Sequence, residues 1–495
     1  MGTRAPRQRV TALLKKVFGL AALRPGQQEV IDSVLARQHT LAIMPTGAGK
    51  SLCYQVPAML MPGMTVVVSP LIALMRDQFD KLSALGLEAV QVNSAVPTAD
   101  VRRARTKIGR RAVEFVFTTP EQLASPQMRE LLGRGRVDLV VIDEAHCISQ
   151  WGHDFRPAYL EAVTILRGLE SATMLALTAT APPEVVEDIT RHLAAGDLRV
   201  INTGLHRPNL TYAVRPVSSD ADKARQLMDV LRGTAGPTIV YAATVRHVEE
   251  IAELCRQEGL PAVTYHGRMR TTARGESQDA FMSGRVPLIV ATNAFGMGID
   301  KPDIRAVVHY DMPGSLDVYY QESVRAGRDG EPAECTLLFQ RSDRGLQAFF
   351  MAGRYPSHDD FGLLLDGLRR LDDEAPVSTE EIRQAVPGLS AGKLRVMLAV
   401  LKQEGLLREH RGARFELSPK LRVESLDRLA QAYEERRERD RTKLEGMVIY
   451  AQTALCRTRA LLDALGERAD WEACGTCDNC RGDAIRSAAP AAGAA

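Results

Sequence analysis

The sequence lacks a long apolar run, a strong net charge and an apolar segment after its first arginines. A helix that crosses a bilayer needs about 18 or more apolar residues, and no run approaches that length, which argues against a membrane-spanning chain. The opening residues MGTRAPRQRV contain arginines with no apolar stretch after them, so no secretory signal is expected. Pro6 stands where a myristoylation pattern has Ser or Thr. We therefore expect a cytoplasmic protein.

The formal net charge is only +2, from 63 basic and 61 acidic residues. The chain as a whole therefore has no basic field that would indicate a nucleic-acid partner, and any surface that binds nucleic acid must be local. The 495 residues, of which 45% are hydrophobic, can bury several cores, and this length predicts three or four domains.

Short strand-like segments alternate with helical patterns as far as about residue 345. The first five predicted strands are Leu41–Met44, Thr65–Val68, Glu114–Phe117, Leu139–Ile142 and Met174–Leu177. The next five are Thr238–Tyr241, Ala262–Tyr265, Leu288–Val290, Ala306–His309 and Cys335–Phe339. Several are apolar throughout, which is typical of parallel strands covered on both faces. The pattern predicts two successive α/β domains that meet near Leu205–Asn209, with ligands where strand ends meet helix starts.

Beyond residue 345 the strand pattern stops, and the order becomes helix, helix, hairpin. Ser378–Glu381 has the pattern of a capping box at a helix start. A second helix shows apolar residues at one-face spacing from Leu394 to Leu401, and two short strand-like segments then flank Gly412. This order predicts a winged helix, a common nucleic-acid-binding module; a small helical spacer with a hairpin is the alternative.

The segment MPTGAGKS follows a predicted strand and precedes a helical pattern, as a phosphate-binding loop requires. Gly47 and Gly49 allow backbone N–H groups to close around phosphates. Lys50 can reach the β- and γ-phosphates, and the Ser51 hydroxyl can bind Mg²⁺. Met44 stands at the first glycine of the general pattern, so a glycine-rich turn is the alternative interpretation.

A second nucleotide signal is the segment VVIDEAHCISQWGHDF. An apolar strand is expected to deliver Asp143 and Glu144 at its end, where one carboxylate can bind Mg²⁺ and the next can polarise a water molecule. Phosphoryl transfer requires both a metal that neutralises charge and a positioned nucleophile. Two acidic residues at a strand end are weak evidence alone, but downstream of a phosphate loop they predict an ATP site.

Four of the eight cysteines cluster near the end of the sequence. Cys474, Cys477 and Cys480 form CGTCDNC, and Cys456 lies upstream in a helical context. Four thiolates suit tetrahedral Zn²⁺, and this spacing would join a helix to a loop. A disulfide or a redox pair is the alternative, which a cytosolic location disfavours. Because no histidine ligand or open coordination position is indicated, the predicted zinc is structural.

Seven motifs follow one another along the chain. They are LRPGQ (Leu23–Gln27), TGAGKS (Thr46–Ser51), SPLIALMRDQ (Ser69–Gln78), DEAHCISQWGHDFRP (Asp143–Pro157), TAT (Thr178–Thr180), ATNAFGMGIDKP (Ala291–Pro302) and YYQESVRAGRDG (Tyr319–Gly330). The order, and above all DEAH followed directly by CISQWGHDFRP, resembles RecQ-type DNA helicases of the second helicase superfamily over nearly the full chain. The resemblance implies an α/β protein with two tandem RecA-like parallel-sheet motor domains, then a winged-helix-like segment and a helical zinc-binding segment.

The resemblance also implies roles for individual residues at an ATP and Mg²⁺ site. The implied nucleotide-binding residues are Arg24, Gln27, Thr46, Gly47, Gly49, Lys50, Ser51 and Asp300. The implied catalytic residues are Lys50, Asp143, Glu144, Arg325 and Arg328. Gln27 would hydrogen-bond adenine, with Arg24 nearby. Ser51 and Asp143 would share the Mg²⁺, and Glu144 would act as general base.

Arg325 and Arg328 would sense phosphate from the second motor domain, with Arg328 as the better candidate for an arginine finger. Such an arginine stabilises the charge of the transition state. Because it lies across the cleft, ATP would close the two domains and hydrolysis would release them.

The loop after DEAH resembles the aromatic-rich loop of the family. Trp151 and Phe155 would stack on DNA bases, Arg156 would meet phosphate, and His153 would couple DNA occupancy to hydrolysis. Stacking of this kind is sequence-tolerant, as a translocating motor requires. The polar residues that flank both aromatics argue against their being part of a core.

The chain departs from the family pattern at several points. Leu20 replaces the usual aromatic before LRPGQ, and Val324 replaces a glycine next to Arg325, where a β-branched residue could restrict the backbone. Tyr265–Met269 is YHGRM where the family has YHAGL. The winged helix precedes the zinc cysteines, whereas it follows them in the family.

The sequence therefore predicts an ATP- and Mg²⁺-dependent, 3′-to-5′ DNA helicase of repair or recombination. The predicted domains are 1–205 and 206–345 (motor lobes), 346–425 (helical linker and winged helix), 426–483 (zinc segment) and 484–495 (disordered tail). Alternatives are an ATP-gated clamp that does not unwind, and an RNA-directed motor. The expected partners are single-stranded and 3′-tailed DNA, with single-strand-binding and repair proteins. We also expect a nucleoid-associated monomer and no membrane contact.

Overall fold

A computed structural model of the protein describes residues 4–149, 156–169, 171–193, 198–296, 301–352, 355–371, 376–410, 414–418 and 423–482. The chain separates into two compact units. The first draws on Met1–Asp311, Asp317–Leu338 and Thr453–Ala495, and the second on Met312–Leu316 and Phe339–Gln452. Within the described ranges, no helix combines the length and the apolarity that crossing a membrane would take.

A seven-stranded parallel sheet forms the first lobe. Its strands are β1 (Thr40–Ile43), β2 (Met64–Val68), β3 (Ala89–Val92), β4 (Phe115–Thr118), β5 (Val137–Ile142), β6 (Thr173–Thr178) and β7 (Arg199–Asn202). The spatial order is β3-β4-β2-β5-β6-β1-β7. The inner strands β1, β2, β5 and β6 are buried at every residue, since helices cover both faces of the sheet.

Helices of the first lobe connect these strands. They are α1 (Arg4–Leu13), a π-helical turn (Leu14–Phe18), α2 (Gln27–Leu35), α3 (Leu52–Leu60), α4 (Ile72–Ala84), α5 (Thr98–Gly109), α6 (Pro120–Leu123), α7 (Pro126–Arg134), a 3₁₀ turn (Ala145–Ile148), α8 (Pro157–Arg167) and α9 (Pro183–Leu193). Thr119 and Ser125 cap α6 and α7, each with a proline at the first helical turn.

A second, six-stranded sheet forms the second lobe. Its elements are β8 (Leu210–Pro216), α10 (Asp220–Gly233), β9 (Thr238–Tyr241), α11 (Val245–Gln257), β10 (Ala262–Tyr265), α12 (Thr271–Met282), β11 (Leu288–Ala291), β12 (Ala306–His309), α13 (Leu316–Ser323) and β13 (Ala333–Phe339). The order is β10-β11-β9-β12-β13-β8. The chain leaves the first sheet after Asn202 and enters the second at Leu210, so residues 203–209 form the inter-lobe linker.

The second unit contains the predicted winged helix. Its elements are α14 (Asp343–Ala352), α15 (His358–Arg370), β14 (Val377–Ser378), α16 (Thr379–Ala385), α17 (Ala391–Gln403), β15 (Leu407–His410), β16 (Arg414–Leu417) and α18 (Val423–Gln452). The order from α15 to β16, with an antiparallel sheet β14-β16-β15, is that of a winged helix. Ser378 and Glu381 form the predicted capping box. The domain boundary predicted after residue 425 falls within α18, which groups with the winged helix.

The cysteine segment returns to the first unit with α19 (Arg457–Ala464) and α20 (Asp478–Arg481). It packs on the edge strand of the second lobe, where the Val214 N–H donates to the Asp478 carboxylate at 2.9 Å. The Asp478 carboxylate also accepts from Arg457 Nε at 2.8 Å, and both side chains are buried. The fold therefore agrees with the prediction of two parallel-sheet lobes followed by a winged-helix-like and a helical cysteine-bearing segment. The predicted tail, 484–495, lies outside the described residues.

Candidate functional site

The phosphate loop, residues 44–51, runs from the end of β1 into α3. Gly47 and Gly49 have φ angles of 86° and 79°, a region that favours glycine. A Cβ on Gly49 would lie 2.4 Å from the side-chain nitrogen of Gln27, and one on Gly47 would lie 3.0 Å from Cγ of Arg328. Both glycines are thus required by backbone conformation and by close neighbours.

The side-chain amide of Gln27 is bound to the backbone of the phosphate loop. Its Nε2 donates to the carbonyls of Ala48 and Gly49 at 3.0 and 2.9 Å. Its Oε1 accepts from the backbone N–H of Arg24 at 2.7 Å, and the Arg24 guanidinium donates to the Gly47 carbonyl. LRPGQ therefore fixes the shape of the phosphate loop, which the sequence did not indicate. The contact of Gln27 with adenine stays a prediction.

Asp143 follows β5 directly, and the surrounding side chains fix its position. Its Oδ2 accepts from the Ser69 hydroxyl at 3.2 Å, and its carbonyl accepts from the Tyr159 hydroxyl at 2.8 Å. Burial, and after it the charge of Glu144, raises the pKa of Asp143 to about 7. Burial lowers the pKa of the Lys50 ammonium, although both carboxylates oppose this shift. Two adjacent, half-buried carboxylates fit a divalent cation, whose charge would keep both ionised.

Glu144 has a left-handed backbone, with φ 51° and ψ 49°, which is uncommon for a residue other than glycine. Conformations of this kind cost about 1–3 kcal/mol and cluster at functional sites. The Glu144 carboxylate lies 3.3 Å from Nδ1 of His146. The same ring nitrogen is 3.1 Å from the Thr178 hydroxyl, so His146 connects the DEAH and TAT motifs.

Two arginines of the second lobe line the same cavity as the phosphate loop, and both belong to the segment 324–331, which we call the arginine loop. Arg325 is 5% exposed, and within the described part of the chain its buried Nε has no hydrogen-bond partner. A phosphate oxygen would satisfy this nitrogen. The aliphatic part of Arg328 lies against Gly47, and its charge contributes to lowering the pKa of Lys50.

These groups line one cavity of about 350 Å³ between the lobes. It contains the predicted residues Arg24, Gln27, Thr46, Gly47, Gly49, Lys50, Ser51, Asp143, Glu144, Arg325 and Arg328. Leu20, which replaces the family aromatic, also lines the cavity and is 39% exposed. Asp300 lies outside the described residues, as do the neighbouring residues 297–299 of its motif. The cavity therefore unites the residues that the sequence assigned to nucleotide and metal binding, with Asp300 untested.

Val324 does not strain the arginine loop. It is fully buried, its φ is not in the left-handed region, and its N–H donates to the Tyr320 carbonyl at 2.9 Å. The backbone of α13 thus continues through Val324 in a conformation that a β-branched residue can adopt. The constrained position is instead Gly327, with φ 56°.

Gly327→Ala is expected to lower the free energy of unfolding by about 1–3 kcal/mol, because a non-glycine residue is strained at this φ. The new Cβ would also lie 2.5 Å from the side-chain nitrogen of Asn209 and 2.7 Å from the Glu331 carbonyl. Urea unfolding measures the change. Gly330→Ala is the control, since its φ is 94° but no atom lies within 4 Å of its Cβ position. Equal losses in the two variants would show that the close contacts at Gly327 add nothing.

The predicted DNA-contact residues Trp151, His153 and Phe155 lie outside the described residues. The residues on either side of this segment are anchored in the first lobe. Ser149 donates from its hydroxyl to Asp188 at 2.8 Å, and both side chains are buried. The Arg156 N–H donates to the Cys147 carbonyl at 3.0 Å.

The side chain of Arg156 is half-buried, and its Nη1 lies 3.5 Å from the Pro70 carbonyl. The sequence motif that contains Pro70 thus contacts the end of the aromatic-rich loop. A phosphate contact of Arg156 stays a prediction.

The sulfur atoms of Cys456, Cys474, Cys477 and Cys480 all lie within 4.8 Å of one another. The Cys474 and Cys480 sulfurs are 3.9 Å apart, and all eight cysteines of the chain are free thiols. Tetrahedral zinc with Zn–S distances of about 2.3 Å places its sulfur ligands about 3.8 Å apart. Burial would raise the pKa of Cys474, but hydrogen bonds, two of them from Thr476, lower it to about 5. The cluster therefore fits zinc better than a disulfide.

Three family descriptions match consecutive parts of the chain. Residues 24–189 match the DEAD/DEAH box helicase family, and residues 222–330 match the helicase conserved C-terminal domain. Residues 420–481 match the RecQ zinc-binding family, which confirms the prediction of a zinc-binding segment.

The chain is similar to curated helicases over about two thirds of its length. It is 40% identical over 332 residues to the ATP-dependent DNA helicase RecQ of Haemophilus influenzae, covering 67% of this chain and 53% of the relative. Identity to RecQ of Bacillus subtilis is 42% over 345 residues, covering 69% and 58%. Identity to the "Probable ATP-dependent DNA helicase RecS" of Bacillus subtilis is 39% over 337 residues, covering 68% and 67%. The chain thus spans between about half and two thirds of the length of these relatives.

Solved structures support the fold. The helicase Lhr of Mycobacterium smegmatis, bound to single-stranded DNA and AMP-PNP, gives a TM-score of 0.55 at 23% identity, covering 86% of this chain and 62% of the other. The helicase MrfA bound to DNA gives 0.56 at 20% identity, covering 84% and 63%. At these identities the similarity concerns the arrangement of the chain alone.

Proposed function

Because this chain belongs to the RecQ family of helicases, we propose that it is an ATP- and Mg²⁺-dependent DNA helicase. The observation that carries the proposal is the cavity in which Asp143 and Glu144 of the first lobe meet Arg328 of the second. Because the catalytic residues come from both lobes, their arrangement around ATP changes when the lobes move. ATP hydrolysis at this site can therefore drive movement of the protein along a DNA strand. The curated relatives carry the name ATP-dependent DNA helicase, which supports DNA as the substrate.

ATP hydrolysis at this site follows from the positions of the side chains. Mg²⁺ held by Ser51 and Asp143 would neutralise phosphate charge when bound. Glu144 accepts a proton from water as the water oxygen bonds to the γ-phosphorus and the bond to the ADP oxygen breaks. Lys50 and Arg328 stabilise the charge that spreads over the γ-phosphate oxygens. Inorganic phosphate and ADP are the products.

DNA binding is assigned to the segment after DEAH. Trp151 and Phe155 stack on unpaired bases, Arg156 meets phosphate, and His153 relays DNA occupancy to the ATP site. The anchored residues Ser149 and Arg156 support this role, because they flank the loop and hold its two ends to Asp188 and Cys147 of the first lobe, close to the DEAH motif. Movement is 3′-to-5′ on the tracking strand, and the biological context is repair or recombination.

The proposed partners are single-stranded DNA, duplexes with a 3′ tail, and single-strand-binding and repair proteins. The proposed state is a monomer in the cytoplasm, associated with the nucleoid. Four clustered free thiols that would bind zinc are typical of a reducing compartment, which supports this location. Zinc held by these four cysteines would be structural, because four thiolates suffice for a tetrahedral site.

Glu144→Gln is expected to lower kcat for ATP hydrolysis by about 10²–10⁴-fold, because the amide cannot accept the proton of the attacking water. Binding of ATP and DNA should persist, since the substitution keeps the size of the side chain. Steady-state hydrolysis is measured with no nucleic acid, with single-stranded DNA and with single-stranded RNA. Glu121→Gln is the control, because its carboxylate is exposed on α6.

Three results would contradict parts of the proposal. Greater stimulation by RNA than by DNA would make the protein an RNA-directed motor. DNA binding without stimulated hydrolysis would indicate an ATP-gated clamp. Hydrolysis retained by Glu144→Gln would remove Glu144 as the base.

A further inference from the structure

The inter-lobe linker contains an arginine that contacts both loops of the proposed ATP site. Arg207 donates from Nη1 to the Thr46 carbonyl at 3.2 Å and from Nη2 to the Gly327 carbonyl at 2.6 Å. Thr46 directly precedes Gly47 in the phosphate loop, and Gly327 directly precedes Arg328 in the arginine loop. One guanidinium therefore joins the two lobes at the residues beside their phosphate-facing groups.

We propose that Arg207 is a positioning residue that holds the arginine loop against the phosphate loop for ATP hydrolysis. The inference rests on the proposed function. The planar guanidinium has donors in a fixed fork, so it can serve two carbonyls at once, whereas a lysine ammonium is a single flexible point charge. Both donors of the Arg207 fork bind backbone carbonyls. Arg207 therefore acts on phosphate only through Arg328.

The backbone beside Arg207 is fixed from both sides. The Leu205 N–H donates to the Glu467 carboxylate of the cysteine segment, and the Leu205 carbonyl accepts from the Tyr320 hydroxyl at 2.6 Å. The next ring, His206, lies 5.1 Å from that of Trp471, measured between centroids. The linker therefore has a defined position from which the Arg207 side chain spans the two loops.

Asn209 provides an internal comparison. Its Nδ2 donates to the Gly327 carbonyl at 2.8 Å, the same acceptor that Arg207 uses, and to the Glu331 carbonyl at 2.8 Å. Both of these acceptors belong to the arginine loop. Loss of Asn209 should loosen the arginine loop alone, whereas loss of Arg207 should loosen both loops and separate them.

Hydrogen exchange of the nucleotide-free protein tests whether Arg207 bridges the phosphate loop and the arginine loop, and it does not depend on an activity measurement. Arg207→Ala should accelerate amide exchange in residues 44–51 and in residues 324–331. Asn209→Ala should accelerate it only in 324–331. Arg225→Ala is the matched control, because its guanidinium bonds to Asp222 of its own helix, and it should exchange like the wild type. Unchanged exchange in 44–51 for Arg207→Ala would overturn the bridge.

Kinetics then test the role in hydrolysis. Arg207→Ala should lower kcat by about 10–100-fold, the scale of a small misplacement of a catalytic group, with KM for ATP within about threefold of wild type. The kcat of Arg207→Lys should lie between those of wild type and Arg207→Ala, since a lysine can reach only one of the two carbonyls at a time. In an Arg328→Ala background, Arg207→Ala should add little further loss, because it acts through Arg328.

Two kinetic outcomes would overturn the proposal. One is a kcat for Arg207→Ala within twofold of wild type. The other is a full additional loss in the Arg328→Ala background, which would show a general structural role. A wild-type protein without DNA-stimulated hydrolysis would instead contradict the proposed function, and hydrogen exchange would still decide whether Arg207 joins the loops.

Discussion

Arg328→Ala is expected to lower kcat for DNA-stimulated ATP hydrolysis by about 10³-fold or more, the scale on which an arginine finger acts. Arg328 lies against Gly47 of the phosphate loop, so its charge is placed to meet the γ-phosphate from the second lobe. Its main effect is on the transition state, and ATP binding should weaken far less than turnover. Steady-state hydrolysis and the binding of a non-hydrolysable ATP analogue measure the two effects separately.

Arg285→Ala is the matched control, since this exposed arginine of the second lobe bonds to Ser283 beside it. It should hydrolyse ATP like the wild type. Arg325→Ala should also lower turnover, because the buried Nε of Arg325 points to a phosphate contact. Turnover of Arg328→Ala within tenfold of wild type, together with a larger loss in Arg325→Ala, would transfer the role of arginine finger to Arg325.

Cys477→Ser is expected to lose bound zinc and to unfold the cysteine segment. Structural zinc contributes about 10–16 kcal/mol of apparent binding free energy to the folding of small zinc domains, so its loss cannot be offset by the few contacts that remain. Cys477 is fully buried, and its sulfur accepts from the backbone N–H of Arg457 at 3.4 Å. Because Asp478 follows it and holds Val214 of β8, the edge of the second lobe should also become less protected.

Zinc content per chain and limited proteolysis are the measurements for this variant. The wild type should contain one zinc and resist cleavage between residues 453 and 482, and the variant should contain none and be cleaved there. Cys255→Ala, in the core of the second lobe, is the control and should keep its zinc. A full equivalent of zinc in Cys477→Ser would reject the four-cysteine assignment.

The buried strands of both lobes could be predicted because parallel strands covered on both faces are mostly apolar, as β2 (MTVVV) and β5 (VDLVVI) are. Three strands of the two lobes escaped prediction. β7 lies at a sheet edge and is exposed at three of its four residues, and β8 alternates buried with half-buried residues at the other lobe's edge. In β3, the polar residue Gln91 interrupts a segment of only four residues. Such strands depend on their partners in the sheet rather than on their own composition.

The residues of the ATP site could be predicted because each lies in a motif whose chemistry is local. The contacts that hold those motifs together could not be predicted from the sequence. Arg207 bonds to a residue 161 positions away in the sequence, the Tyr159 hydroxyl bonds to the backbone of the DEAH motif, and the left-handed backbone of Glu144 has no signal in the residue type. Whether Val324 strains the arginine loop could not be predicted either, because only the φ angle of the folded backbone shows that this position does not need a glycine. The predictions for Trp151 and Asp300 await experiment.

Strand displacement on a DNA duplex with a 3′ single-stranded tail is the direct test of ATP-driven unwinding by this protein. Wild-type protein is expected to release the labelled strand only with ATP and Mg²⁺ and to leave a 5′-tailed duplex intact, and Glu144→Gln is expected to be inactive on both. Hydrolysis stimulated by single-stranded DNA but without displacement of either duplex would contradict the helicase assignment and leave a translocase or clamp.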